Sequence, residues 1–481
     1  MHPQSRPAVV VTVLCTTGIL ASLVQTIIIP LVPRLPELLD AGPADASWAV
    51  TATLLVGAIM TPIAGRLGDM YGKRRVLALC LLSLIVGSVL CASTSSLVTV
   101  TIGRGLQGVS MGVIALGISI MRDELPEERV GGGIAMMSAT IGIGGAIGMP
   151  AAAVVAERAD WHVVFAATGL LAAAALVAVL RLVPESPVRS GGRFDAVGAA
   201  GLAAGLAAFL LAVTEGSVWG WSSARTLGAF GASAVVFALW SVHQLRVRGP
   251  LVDLRVSSRP QVLFTNLASV AVGFAMFGMA LIPPQLLMAP EETGYGLGLT
   301  MTQTALLIAP SGIVMFFCSP LSARISNRFG PRVTLMSGTV VIAVGYLVVL
   351  ATPFGAVQIL IASIIVNGGI GIAYAAMPAL IIAAVPVGET AAANGLNALM
   401  RSIGTSSSSA VISAVLATMT VTVAVADSPA GAQQLAAPTA GAFTIAAAVC
   451  LAAALASTAL TACVPRTPRP RAARRSAAES A

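Results

Sequence analysis

The chain has 481 residues, of which 57% are hydrophobic and only 10% charged, with a formal net charge of +8. Ordinary soluble domains are about 25% charged, so a water-covered globule of this size is excluded and lipid is the expected solvent. The basic residues are scattered between hydrophobic segments, and the six cysteines sit inside apolar runs without ligand spacing. A nucleic-acid partner, a disulfide scaffold, a metal site and a cofactor are therefore not expected.

A helix needs about 20 apolar residues to cross the hydrocarbon core, and fourteen runs approach or exceed that length. In chain order they are 8–33, 46–65, 76–93, 97–121, 133–156, 161–183, 196–214, 225–244, 262–288, 301–323, 333–352, 355–385, 394–424 and 441–463. The seventh is the weakest, because Ala and Gly lower its hydropathy; a twelve-span chain would lack the seventh and eighth. The first is too long for the apolar core of a signal peptide and is followed by no small-residue cleavage site, so it counts as a helix. With the N-terminus in the cytoplasm, 23 of the 27 Lys and Arg fall on the inner side, Arg401 among them. Only Arg34, Arg158 and Arg225 fall outside, and Arg104 lies within a span. The expected protein is multi-pass in the inner (plasma) membrane, with both termini cytoplasmic. Residues 464–481 form a Pro/Arg/Ala-rich tail expected to be disordered.

The loop after the second run reads Gly65-Arg66-Leu67-Gly68-Asp69-Met70-Tyr71-Gly72-Lys73-Arg74-Arg75-Val76-Leu77. Its chemistry is a tight turn at Gly72 with a carboxylate at a helix end beside three cations. Asp69 can pair with those cations and with a neighbouring helix N-terminus, holding the cytoplasmic side shut. The pattern recurs 258 residues later, where Pro62, Arg66, Gly72, Arg74 and Leu77 find Pro320, Arg324, Gly330, Arg332 and Leu335, while Asp69 becomes Asn327. An offset of eight spans rather than six places two extra helices between two repeated bundles.

The first loop resembles the cytoplasmic signature of the major facilitator superfamily, Gly-x-Leu-x-Asp-x-x-Gly-basic-basic-x-x-Leu, and departs from it only at Met70, usually basic. Gly103-Arg104-Gly-Leu-Gln107-Gly108 resembles the Arg-x-x-Gln-Gly element of its drug:proton antiporters. Gly142-Ile-Gly144-Gly145-Ala-Ile-Gly148-Met-Pro150 is similar to their Gly-rich helix, and Thr214-Glu215-Gly216 through Trp221 to a loop of fourteen-helix members. Asn394 through Gly404 is also similar to a segment of that family. One departure concerns the first helix, where Gln25 stands in place of a common acid, followed by Thr26.

The resemblance implies an all-α integral membrane protein of the major facilitator fold: two six-helix bundles plus two intervening helices, 14 transmembrane helices in all. The divisions expected are 1–190, 191–260, 261–463 and the tail 464–481. Arg104, by the cost of a bare guanidinium in lipid, should face a cavity or a buried partner. It and Gln107 are coupling candidates, with the edge acids Asp123, Glu124, Glu157 and Glu215 as alternatives. Gln25, Thr26, Asn266, Gln285, Gln303, Asn367, Tyr374 and Asn397 are the polar residues that could line a cavity, whereas Met276 and Met315 read as apolar filling. The expected activity is export of small amphipathic compounds such as drugs or antibiotics by proton antiport and alternating access, as a monomer. A dedicated exporter of one endogenous metabolite is the competing transporter. A multispanning enzyme would need paired acids or a metal site, and neither is visible.

Overall fold

A computed structural model describes residues 7–187, 189, 191, 193–425 and 433–465; the expected tail falls almost wholly outside them. The helices are α1 (Pro7–Thr26), a short α2 (Leu35–Leu38), α3 (Pro43–Tyr71), α4 (Lys73–Ser93), α5 (Leu97–Gly108), α6 (Gly112–Glu124), α7 (Glu127–Arg158) and α8 (His162–Leu182). They continue as α9 (Ala196–Trp219), α10 (Ala224–Arg246), a short α11 (Leu254–Ser257), α12 (Pro260–Met288), α13 (Met301–Phe329), α14 (Pro331–Ala351), α15 (Ala356–Ile382), α16 (Thr390–Thr418) and α17 (Ala440–Ala462). Thirteen stretches among the described residues are long and apolar enough to cross a membrane, α5 and α6 together forming one. The remaining long helix, α16, has 29 residues but carries Asn394, Asn397, Arg401 and a run of hydroxyls from Thr405 to Ser409. Its polarity has a structural reason, since it packs between α3 and α12 rather than facing only lipid.

Three runs end differently from the sequence reading. The first stops as an α-helix at Thr26 and continues as a 3-10 turn over Ile29–Arg34, because Pro30, Pro33 and Pro36 withdraw donors and disfavour helical neighbours. The fourth is broken by a 3-10 turn at Val109–Met111. The break lies beside the point where Gly108 meets α3 so closely that a Cβ would stand 2.5 Å from the Thr53 carbonyl oxygen. The thirteenth ends at Thr418, and its last residues form β1 (Thr420–Val425), antiparallel to β2 (Gln433–Pro438). The alternating Thr-Val-Thr-Val of β1 is a strand pattern that apolar counting alone had merged into a helix.

Apolar side chains of α1, α4, α6, α7 and α8 build one core, and those of α12 to α17 build another. The halves meet along two seams, α7 against α13 and α3 against α16. On the first, a Cβ on either Gly142 or Gly312 would stand 2.7 Å from the other's carbonyl oxygen, so the backbones touch as small residues permit in lipid. The helices α9 and α10 pack on each other, and α9 rests on α3 and α16. Asp195 fastens this pair: it caps α9 by accepting from the Gly198 N–H at 2.8 Å and binds His243 at 2.9 Å and Gln244 at 2.7 Å on α10. Burial raises the Asp195 carboxyl, but the bonds from His243, Gly198 and Gln244 outweigh it and hold it below the ordinary carboxylate value.

Candidate functional site

The Gly72 turn has φ +115, a conformation favourable only to glycine, and Gly330 repeats it at φ +92. The turn lets α3 run straight into α4, so Asp69 and Lys73 face the same buried space. There the Asp69 carboxylate accepts from the backbone N–H of Ala392 at 2.9 Å and of Ala391 at 3.3 Å. These are donors of the first turn of α16 that no helical carbonyl can satisfy, so Asp69 caps a helix of the opposite half. Gly65 permits the approach: a Cβ there would lie 2.4 Å from the Ala391 carbonyl oxygen.

A buried charge cluster backs this contact. Lys73 Nζ lies 2.5 Å from Asp123 Oδ2 and 3.6 Å from Asp69 Oδ1, with all three side chains at 1% exposure or less. Ser186 donates to Asp123, and the Arg122 guanidinium donates to Thr390 Oγ1 at the start of α16. The Arg74 N–H donates to Glu185 at 3.1 Å, and its side chain reaches the Val183 carbonyl. Glu185, also 3.8 Å from Arg75, was not legible from the motif, because it comes from the distant segment after α8. Arg66 is buried beside a cavity of about 60 Å³ shared with Asp253 and Glu389. The repeat is asymmetric: Asn327 lies beside Gly131 of α7, with no carboxylate at that position.

A cavity of about 100 Å³ lies between the halves, lined by Gln25, Leu54, Thr61, Met111, Ile114, Ile141, Met276, Tyr374, Ala398, Arg401, Ser402, Thr405 and Ser406. Of the eight expected polar lining residues only Gln25 and Tyr374 line it. Asn266 and Asn397 stand behind Arg401: Asn397 Nδ2 donates to Asn266 at 2.9 Å and Ser269 at 2.8 Å, and Arg401 donates to Asn397 Oδ1. The other four serve elsewhere. Thr26 bonds within α1 and to the Gly144 carbonyl of α7; Asn367 joins α15 to Ser311 of α13 at 3.1 Å; Gln303 completes the capping box of α13 with Thr300; Gln285 is exposed on α12 and lies outside the cavity lining. Met276, read as apolar filling, lines the cavity. Arg401, counted with the inner-side arginines, is buried in its wall.

Arg104 has the buried partners expected of it, although they are not acids. Its Nε donates to the Ala49 carbonyl at 3.0 Å, and its Nη1 to the Val24 carbonyl at 3.2 Å and to Gln107 Oε1 at 2.7 Å. Gln107 passes the chain on to Ser88 at 2.9 Å. Among the described residues no carboxylate pairs with Arg104, so it ties α1, α3, α4 and α5 together rather than facing the cavity. The Gly-rich face of α7 is likewise used for packing: a Cβ on Gly144 would meet Ser22 at 2.4 Å and one on Gly148 would meet Thr26 at 2.3 Å, while Gly145 is looser. Pro150 is accommodated within α7. Glu124 is half-buried at the Asp69 end, Glu215 sits near the C-terminal end of α9, and the Glu157 side chain lies outside the described set.

Two packed helical halves, a cavity between them and a capping carboxylate joining them at one end define a multi-pass membrane transporter rather than an enzyme. Residues 14–409 match the model of the Major Facilitator Superfamily, with a second match over 268–480; the chain belongs to that superfamily. It is 25% identical to multidrug resistance protein Stp of Mycobacterium tuberculosis over 80% of this chain and 71% of that one. It is 24% identical to the tetracenomycin C resistance and export protein of Streptomyces glaucescens, over 71% of this chain and 62% of that one. The solved structure of the human organic anion transporter MFSD10 (TETRAN) superposes with a TM-score of 0.66 at 15% identity, covering 95% of this chain and 99% of that one, a likeness of fold.

Proposed function

We propose that the chain is a secondary active exporter of small amphipathic compounds, exchanging them for protons by alternating access in the plasma membrane, as a monomer with both termini cytoplasmic. The observation that carries this reading is the cavity between the halves, whose lining sets the apolar side chains of Leu54, Met111, Ile114, Ile141 and Met276 beside a comparable number of polar ones, as an amphipathic compound would require. The Asp69 cap on α16 then acts as a cytoplasmic closure. Residues 1–190 and 261–463 are the two six-helix bundles, 191–260 hold the intervening pair, and α16 completes fourteen spans. Relatives named for multidrug resistance support a broad substrate range. A relative named for tetracenomycin C export supports the narrower reading of one dedicated metabolite.

Coupling runs, on this reading, through Asp69, Lys73 and Asp123. One buried ammonium is shared by two carboxylates, so a proton arriving on either acid weakens the hold on α16. The test uses purified protein in proteoliposomes with an imposed pH gradient, a panel of dyes and antibiotics outside and a pH probe within. Substrate movement accompanied by opposed proton movement, lost in Asp123→Asn, is the expected result. Substrate movement without a pH response would overturn the coupling, and no movement of any compound would overturn the exporter reading.

A further inference from the structure

The placement of Arg401 bears on what the cavity holds. Arg401 stands eleven residues beyond the start of α16, about 16 Å along the axis at 1.5 Å per residue. That is about three turns into the helix, where Arg401 is buried between the halves rather than at a helix end. A charge there is costly unless it is paired or meets water or ligand. Its partners are Asn397 Oδ1 and the ring of Tyr374, whose centroid lies 4.8 Å from the guanidinium carbon. Neither is an acid, and among the described residues no ion pair involves Arg401. Of the other buried cations, Lys73 has two carboxylates, Arg104 has three oxygen acceptors, and Arg66 shares a cavity with Asp253 and Glu389.

The guanidinium is also held in position. Asn397 donates its amide to Asn266 and Ser269, which turns its Oδ1 toward Arg401. Tyr374 flanks the charged plane, and 9% of Arg401 remains exposed, in the cavity wall. Among the described residues Arg401 is the sole charged side chain of that lining; the rest is apolar or carries amide and hydroxyl groups. A carboxylate or sulfonate entering the cavity would supply the missing counter-charge through a forked, charge-assisted contact. Its apolar body would meet Met276, Ile114 and Ile141.

We propose that the cavity selects anionic amphipathic compounds, with Arg401 as the binding residue for their acidic group. The proposal rests on the exporter reading and narrows its substrate class. Fluorescein and the cationic rhodamine 6G, of similar ring system, serve as probes, read by fluorescence polarisation on purified protein and by gradient-driven uptake into proteoliposomes. The parent binds fluorescein more tightly. Arg401→Gln weakens fluorescein binding by about tenfold or more, as loss of a charged hydrogen bond implies, and leaves rhodamine 6G unchanged or tighter; Arg401→Lys restores part of the loss. Thr405→Asp places an acid one helical turn from Arg401 in the same wall and lowers fluorescein binding without removing the arginine; it decides the matter if Arg401→Gln does not fold. A parent that binds rhodamine 6G as tightly, or fluorescein not at all, overturns the proposal, as does unchanged fluorescein binding in Arg401→Gln or, failing that variant, in Thr405→Asp. A parent that binds fluorescein through Arg401 yet moves neither dye under a gradient overturns the exporter reading instead.

Discussion

Replacing Asp69 with Asn keeps the size of the side chain and removes its charge. The carboxylate now accepts two N–H groups of α16, at 2.9 and 3.3 Å, and faces Lys73 at 3.6 Å. An amide offers one acceptor oxygen, so one donor of the helix start loses its partner and the other keeps a neutral bond. Hydrogen bonds to charged groups contribute about 1.5–3 kcal/mol and neutral ones about 0.5–1.5 kcal/mol, so losing one charged bond and reducing the other to a neutral one costs the closed arrangement about 2.5–4.5 kcal/mol. At 1.4 kcal/mol per tenfold, the ratio of closed to open molecules falls roughly 60- to 1,600-fold. Asp69→Asn therefore folds, exposes the cytoplasmic mouth of the cavity and transports poorly. Asn327→Asp is milder, since Asn327 lies beside Gly131 and already functions without a charge. The assay pairs transport in proteoliposomes with thiol labelling of Thr61→Cys in a background without native cysteines. Parent-like transport and labelling by well-expressed Asp69→Asn would refute a role for the carboxylate.

Other expectations can be checked independently. Single cysteines at Ser222 and Ser258 should label from outside and inside respectively; an external Ser258 would break the fourteen-span topology. Arg104→Ala, which removes three hydrogen bonds joining α1, α3 and α5, should cost about 2–4 kcal/mol and lower the thermal unfolding temperature; an unchanged temperature would deny it that structural role. Asp195→Ala should loosen α9 from α10 by about 0.5–2 kcal/mol, as loss of a helix cap does, seen as faster amide exchange at the start of α9. Because the folded Asp195 carboxyl titrates below its ordinary value, its contribution is complete above the ordinary carboxylate pKa of about 3.9. It fades as pH falls through the lowered folded value; exchange at the start of α9 that is insensitive to acid in that range would contradict the linkage.

Much of the helical architecture was legible because lipid imposes a simple rule on sequence: apolar length sets a span. Asp69 was legible as a cap because a motif compresses the turn, the acid and the cations into one loop. Arg401 was not, because a guanidinium near a helix start reads as a flanking charge until packing shows that other helices enclose it. The polar residues divided for a similar reason. Thr26, Asn367 and Gln303 satisfy backbone or neighbouring helices, and spacing along one helix cannot show which neighbour stands opposite. Glu185 and Asp195 escaped notice because each works from a connecting segment on a partner far away in sequence. The strand pair failed to appear because Thr-Val alternation is as apolar as the helix it follows.

Alternating access is tested most directly by measuring distances at both ends of the molecule at once. Spin labels at Arg129 and Arg328 report the Asp69 end, and labels at Asp160 and Glu292 report the other; all four side chains are exposed. Acidification or addition of a transported substrate should lengthen one distance while shortening the other, and Asp69→Asn should shift the first pair toward the longer distance without ligand. Distances that stay fixed, or that lengthen together, would contradict a cavity exposed to one side at a time.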